Sequence, residues 1–219
     1  MENSKNLVIS VEEKVEHKTS EHHTHRDDVA SKMGMWIFLF TEMLLFGGLF
    51  LLYLAYRIEY SKEFVIAAKE LNLFMGATNT IILLTSSLTM ALSIAALQRG
   101  KKLLSLSLIG ATILFAFAFM VIKYFEWSAK FHHGIIPGSS TLTAKPNGQI
   151  MFYGLYFSMT GLHALHVIIG VTILIFMFVF VSRNSVNKDN FAKLENSGLY
   201  WHLVDLIWIF LFPLFYLLH

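Results

Sequence analysis

The sequence predicts an all-α integral membrane protein, a bundle of five transmembrane helices. The chain has 219 residues, of which 55% are hydrophobic and only 15% are charged, whereas soluble domains carry about 25% charged residues. Five apolar segments are each long enough to cross a bilayer, which takes about 20 helical residues. The sequence contains no cysteine, which excludes disulfides, thiolate metal sites and cysteine nucleophiles.

The five predicted spans are Met33–Tyr56, Leu71–Leu97, Leu103–Trp127, Gln149–Val181 and Leu199–Leu218. The fourth span is longer than a bilayer requires, so we expect it to tilt or to project beyond the lipid. Eleven Lys and Arg residues lie in the regions on the side of the N-terminus, against five on the opposite side. The positive-inside rule therefore predicts the N-terminus inside and the C-terminus outside. A net charge of only +2 gives no basic field that would favour a nucleic-acid partner.

Residues 1–31 form a polar segment, and residues 32–219 form the five-helix transmembrane domain. The first segment mixes charges of both signs and has no apolar core region, which predicts a flexible cytoplasmic tail rather than a cleavable signal peptide. The tail contains four clustered histidines: His17, His22, His23 and His25. A weak metal-binding tract is the alternative interpretation, although these histidines lack a fixed scaffold.

Glu42 is a carboxylate inside the first predicted span, in the run MWIFLFTEMLLFGGLF. An ionisable side chain near the centre of a bilayer costs at least ~2.5 kcal/mol on insertion scales. It follows Lys32 by ten residues, which places it about 15 Å into the membrane. His166 in the fourth span follows at about 25 Å from the same side, which places it either at a broadly similar depth or several ångströms away. A direct or water-mediated pair would lower the cost of burying both. The alternative is a carboxylate that exchanges protons.

Two further pairs of ionisable residues each share a helical face at a spacing of i and i+3. His163 and His166 lie in TGLHALHVIIG, and their spacing suits two ligands of one metal, which would still need a third ligand. The alternatives are hydrogen bonds to neighbouring helices and contact with lipid or another subunit. Lys123 and Glu126 lie in VIKYFEW, where we expect an ion pair within the helix near the outer end of the third span.

The motif YWHLVDLIW near the start of the fifth predicted span contains another such pair, His202 and Asp205. Tyr200, Trp201 and Trp208 flank them, and aromatic rings favour the membrane interface. These residues therefore predict an anchor for a lipid headgroup or a neighbouring subunit, with a site of proton chemistry as an equal alternative.

Four stretches of the chain together resemble one known family. They are KMGMWIFLFTEMLLFGGLF, LNLFMGATNTIILLTSSLTMA, FYGLYFSMTGLHALHVIIGV and YWHLVDLIWIFLFPLFY, and they cover most of the region from Lys32 to Tyr216. In this order they resemble subunit III of the haem-copper terminal oxidases, in its short form with five helices. The pair TGLHALH and YWHLVD is the most specific part of the resemblance.

The resemblance implies roles for particular residues. Glu42 falls on the intramembrane carboxylate of the family, which reacts with carbodiimides. His163 and His166 fall on its paired histidines, and His202 with Asp205 on its C-terminal aromatic motif. The resemblance also implies phospholipid bound in a V-shaped cleft between the first two helices and the remaining ones.

The resemblance further implies a non-catalytic subunit of a proton-pumping oxidase in a bacterial inner membrane. No haem or copper is expected in this chain; both would lie in a partner. The implied partners are subunit I, in direct contact, then subunit II, other respiratory subunits and lipid. The alternatives are subunit III of a quinol oxidase, an accessory protein of nitric oxide reductase, and a stand-alone five-helix transporter.

Overall fold

The computed structural model describes residues 2–132, 134–136, 138–188 and 190–218, with the backbone alone for residues 2–29. These ranges contain seven helices and no β-strand: α1 (Glu2–Glu59), α2 (Ser61–Lys69), α3 (Leu73–Gln98), α4 (Lys102–His132), α5 (Ser140–Thr143), α6 (Asn147–Ser182) and α7 (Ala192–Tyr216). The predicted all-α class is confirmed.

Five of these helices are long and apolar enough to cross a membrane, as predicted: Ala30–Glu59 of α1, and the whole of α3, α4, α6 and α7. Most of their bounds lie within about three residues of the predicted spans, and two differ by more. Helix α4 continues past Trp127 to His132, and α7 begins at Ala192 rather than Leu199. Hydropathy locates the part of a helix that suits hydrocarbon, while polar turns extend the helix beyond that part.

The chain divides into two compact units, residues 1–41 and residues 42–219. Within the first unit, the hydroxyl of Thr41 donates to the carbonyl of Phe38 at 2.7 Å. The four tail histidines lie outside the residues whose side chains are described, so the flexible tail and its metal-binding alternative stay predictions.

The second unit is built on a ring of four helices, in which α3 and α6 each pack against both α4 and α7. The largest buried side chains, Trp201 and Trp208, project from α7 into this ring. Each indole N–H donates across to a hydroxyl of α3, Trp201 to Ser86 and Trp208 to Thr80, both at 3.1 Å. Because the later residue of α7 meets the earlier residue of α3, these bonds define an antiparallel register.

The outer surface of the helices is apolar, as a lipid-facing surface requires. Large exposed hydrophobic side chains occur on all five long helices, for example Leu51, Ile81, Leu114, Phe176 and Phe210. Polar side chains that are buried lie between helices, for example Ser86, Lys123 and Glu126.

Helix α2 is held to the start of α6 by two carboxylates. Glu63 accepts the backbone N–H of Gly148 at 2.5 Å, at the N-terminus of α6, where the helix dipole favours negative charge. A Cβ at position 148 would lie 2.5 Å from the Cβ of Tyr60, so only glycine allows this approach. Glu70 accepts hydrogen bonds from Tyr153 and from Lys145, the latter at 3.0 Å. The short helix thereby closes one end of the bundle.

Gly170 of α6 permits a close contact between α6 and α7. A Cβ there would lie 2.9 Å from two ring carbons of Trp201, and overpacking of a tight contact costs about 1–3 kcal/mol.

We expect Gly170→Ala to lower the thermal unfolding temperature of the purified protein relative to the matched variant Gly154→Ala, since a Cβ at position 154 meets no atom within 4 Å. Equal unfolding temperatures for the two variants would show that the contact tolerates a methyl group.

The contacts of Glu70, which hold α2 against the start of α6, should weaken at acidic pH. Burial opposes ionisation of Glu70, but the hydrogen bonds from Tyr153 and Lys145 and the charges of Lys145 and Lys130 outweigh it, so its pKa lies below its ordinary value of 4.5. A carboxyl with a lowered pKa stabilises the fold above its ordinary value and loses that contribution as the pH falls through the lowered one.

We therefore expect wild type to unfold at a higher temperature than Glu70→Gln at pH 7, with the difference shrinking as the pH falls below 4.5. Thermal unfolding of both proteins across this range measures the effect. Glu59→Gln removes an exposed carboxylate and serves as the control. A difference that does not change with pH would exclude the charge of Glu70 as its cause.

Candidate functional site

Glu42 of α1 and His166 of α6 form a pair within the bundle. Glu42 Oε2 lies 2.9 Å from His166 Nε2, and the two side chains are only 15% and 10% exposed. The other ring nitrogen of His166, Nδ1, lies 2.7 Å from the carbonyl oxygen of Leu162. The ring of Phe46 packs edge-on against the imidazole at 5.4 Å. The structure thus brings together the two groups whose relative depth the sequence leaves open.

The hydrogen bonds of His166 determine where protons can lie in this pair. A carbonyl oxygen can only accept, so Nδ1 must carry a proton and donate it to Leu162. The contact between Nε2 and Glu42 then contains one further proton, either on an imidazolium donating to a carboxylate or on a carboxylic acid donating to a neutral ring. The two groups therefore share one proton, and neither presents an unpaired charge to the hydrocarbon.

Lys123 and Glu126 form a buried ion pair within α4, at 2.9 Å. Two tyrosines complete it. The ammonium of Lys123 also donates to Tyr216 at 2.7 Å and to Tyr156 at 3.2 Å, while Oε1 of Glu126 accepts from both hydroxyls, at 2.5 and 2.9 Å. All three ammonium protons thus have acceptors, and the indole of Trp208 lies 4.8 Å from the charge. This network joins α4, α6 and α7.

His163 is fully buried and has no hydrogen-bond partner on either ring nitrogen. Its ring lies 5.3 Å from that of Trp208 and 5.6 Å from that of Phe119. His166 is engaged with Glu42 instead, so the two histidines do not converge on one point with a third ligand. Among the described residues, no group of three or more His, Cys, Asp or Glu side chains is placed to hold a metal ion.

His202 and Asp205 lie on the side of α7 that meets α3. Nδ1 of His202 is 2.7 Å from the hydroxyl of Ser87, and His202 is partly exposed. Asp205 is 3% exposed. The sequence predicts contact with lipid or another subunit for Trp201 and Trp208. In the structure both side chains are buried within this chain, and their indole N–H groups donate to hydroxyls of α3.

Three residues that complete these contacts were absent from the sequence-based prediction. They are Ser87, Tyr156 and Tyr216, which bind His202, Glu126 and Lys123 from other helices. The only signal for them is general: a buried ion pair needs further donors and acceptors to satisfy it, and hydroxyl side chains on neighbouring apolar helices are the available sources.

The comparison with known protein families decides the identity of this arrangement. The family model described as cytochrome c oxidase subunit III matches residues 9–219. The chain belongs to this family. The match includes Glu42, the two histidines of α6, the ion pair of α4 and the whole of α7, so the buried groups described above lie within the family region.

Known relatives agree with this membership. A probable quinol oxidase subunit 3 from Staphylococcus saprophyticus is 32% identical over 190 residues, covering 86% of this chain and 89% of the relative. Its counterpart from Staphylococcus haemolyticus is 30% identical, with 91% and 94% covered. A heme-copper oxidase subunit I+III from Aeropyrum pernix is 29% identical over 85% of this chain, which spans 22% of that relative.

These findings establish a multi-pass membrane protein of the subunit III family of haem-copper oxidases, and a subunit of this kind implies a complex of several subunits. The fused relative, whose name joins subunits I and III, favours subunit I as a neighbour.

The network around Lys123 gives a test of how the buried charges are satisfied. Removing one partner of a buried pair leaves an uncompensated charge and costs about 3–5 kcal/mol. We expect Lys123→Met to destabilise the protein by that amount. The double variant with Glu126→Gln should recover much of the loss, because a neutral amide can still accept from Tyr156 and Tyr216. Denaturant or thermal unfolding of the four proteins of this cycle measures the coupling; additive losses would contradict it.

Proposed function

We propose that this chain is the non-catalytic subunit III of a proton-pumping haem-copper oxidase that reduces oxygen to water in aerobic respiration. The observation that carries the proposal is the match of the family model to residues 9–219. The expected placement is the bacterial inner membrane, with the N-terminus inside and the C-terminus outside. Subunit I is the direct partner, with subunit II and other respiratory subunits in the same complex.

The chemistry of this chain suits a supporting role. Haem iron is held by axial ligands such as histidine, but here His166 is bonded to Glu42 and His202 to Ser87. His163, the one of these whose ring nitrogens are unengaged, is enclosed by Trp208 and Phe119. The haem and copper of the complex are therefore assigned to a partner subunit, where they would supply the electron transfer and oxygen chemistry.

A lipid-binding role is supported by a cleft of about 220 Å³ between α1 and α7. Its lining is almost wholly apolar: Met43, Phe46, Gly47, Phe50, Leu203, Leu206, Ile207 and Phe210. Such a surface suits an acyl chain, since it offers no polar group that hydrocarbon would leave unsatisfied. Phe46 also packs against His166, so this cleft adjoins the Glu42 pair. We assign bound phospholipid to it.

Glu42 is assigned a part in keeping proton uptake by the catalytic partner supplied during turnover. Its support is the single proton that Glu42 and His166 share, next to an apolar cleft. A structural role, in which the pair only fastens α1 to α6, is the competing hypothesis.

The electron donor is set by a partner subunit. The family description names cytochrome c, whereas the relatives from Staphylococcus are named as quinol oxidase subunits. Subunit III of a quinol oxidase is therefore the second candidate function.

Purification through a tag on this chain in mild detergent tests the proposal. We expect to isolate a complex whose haem spectrum changes on reduction. The complex should consume oxygen with either reduced cytochrome c or a quinol, and the substrate that it accepts identifies the electron donor. Mass spectrometry of the same preparation should find retained phospholipid. A haem-free assembly of this chain alone would contradict the oxidase proposal and favour a transporter.

If Glu42 supports proton uptake, a variant without its carboxylate should assemble normally but lose activity during turnover. Glu42→Gln keeps the shape of the side chain and removes its charge. We expect the complex to start near the wild-type rate and then to lose activity faster per turnover, since proton supply falls behind. Oxygen consumption followed to exhaustion measures this, with Glu59→Gln as the control for an exposed carboxylate. Wild-type lifetime and pumping in Glu42→Gln would leave only the structural role.

A further inference from the structure

Asp205 is a buried carboxyl to which the proposed function gives no role. It lies in α7, only 3% exposed, and neither of its oxygens has a hydrogen-bond partner. The other carboxyls of the membrane region differ: Glu126 accepts from Lys123 and two tyrosines, and Glu42 is paired with His166. Asp205 is thus the acid in this region whose charge the described side chains leave uncompensated.

An ionised carboxylate in this setting is costly. Burying one without hydrogen bonds or a counter-charge costs several kcal/mol, and a buried group of this kind takes up a proton instead. Helix α3, which faces Asp205, contains no Lys, Arg, His, Asp or Glu in its 26 residues. The neutral carboxylic acid is therefore the form that the surroundings favour.

The ionisable groups on the other neighbouring helices are engaged or distant. On α7 itself, Lys193 and Glu195 precede Asp205 by 12 and 10 residues, about 15–18 Å along the helix. On α6, His166 is bonded to Glu42 and His163 lies beside the ring of Trp208.

The contacts of α2, which also packs against α7, are made at the other end of the bundle. Its Phe64 packs against Phe152, which in turn packs against Phe215 of α7. Phe215 follows Asp205 by ten residues, about 15 Å along the helix. The charged residues of α2 are Lys62, Glu63 and Lys69, and Glu63 is bonded to Gly148. None of these groups is placed to neutralise an Asp205 carboxylate.

Two side chains connect Asp205 to the surface of this chain. Asp205 follows His202 by three residues on the same face of α7, and Ser87 of α3 meets this face, with its oxygen 2.7 Å from Nδ1 of His202. A serine hydroxyl can donate one hydrogen bond while accepting another, and a neutral imidazole can carry its proton on either nitrogen. His202 is partly exposed, so its ring provides the connection to the outside of the helix pair.

We propose that Asp205 is a buried proton-binding site and that His202 and Ser87 form the relay that loads it. A proton binds to Nε2 of His202, the proton on Nδ1 passes to the Ser87 oxygen, and the hydroxyl proton of Ser87 passes to the Asp205 carboxylate. The carboxylate becomes a carboxylic acid, Ser87 is unchanged, and His202 ends neutral as the opposite tautomer. One proton enters and no net charge remains in the hydrocarbon; the reverse sequence releases it.

Infrared difference spectroscopy on the protein purified with its accompanying subunits tests this site. The wild-type spectrum should contain the carbonyl stretch of a buried protonated carboxyl, which shifts on transfer to D₂O. Asp205→Asn should abolish this band, whereas Glu42→Gln should leave it in place. If Asp205→Asn leaves every protonated-carboxyl band unchanged, Asp205 is ionised and the proposal is wrong.

The rate at which the carbonyl band shifts in D₂O tests the relay. This measurement does not need the Asp205→Asn variant, so it remains possible if that variant fails to fold. Ser87→Ala should keep the band but slow its hydrogen–deuterium exchange by about 100-fold, the lower end of what a positioned proton carrier contributes. Ser87→Thr should restore fast exchange. Thr85→Ala is the matched control, because it removes a hydroxyl of the same helix that bonds only the Ile81 carbonyl. Equal exchange in Ser87→Ala and wild type would overturn the relay.

Discussion

Hydrocarbon offers no hydrogen-bond partner, and this constraint governs where every ionisable group of the membrane region lies. Each of these groups either finds a partner inside the protein or has to be neutral. The partners come mostly from other helices: Glu42 of α1 with His166 of α6, Ser87 of α3 with His202 of α7, and the two tyrosines that reach the α4 ion pair. Apolar helix surfaces can shift past one another at little cost in free energy. These polar contacts instead specify which helices are neighbours and in what register they pack.

The same constraint accounts for the surroundings of the individual buried groups. Glu42 is paired with His166 and Lys123 with Glu126, whereas the ring of His163 is enclosed by those of Trp208 and Phe119. The apolar cleft lies beside Glu42 and His166, with Phe46 common to both. An acyl chain bound in this cleft would therefore touch Phe46 and would exclude water from this side of the pair.

Much of the fold could be predicted from the sequence because hydropathy identifies the segments that lie in the lipid. The number of spans and the pairing of Lys123 with Glu126 follow from helical rise and spacing, whereas the same reasoning left the relative depth of Glu42 and His166 open. The contacts of Ser87 and Tyr216 could not be predicted, since they depend on which helices become neighbours. Helices α2 and α5 were missed because they do not cross the membrane. The early start of α7 was missed because its first turns are polar.

The position of Tyr216 has a consequence for biosynthesis. Its hydroxyl binds Lys123, which precedes it by 93 residues in the chain. When α4 enters the bilayer, the ammonium group thus has only Glu126 of its own helix, and later Tyr156 of α6, as acceptors. The charge is completely surrounded only after the ribosome has delivered the last turn of α7. Until then the cation lacks one of its three acceptors, so the folded environment of Lys123 is completed only at the end of synthesis.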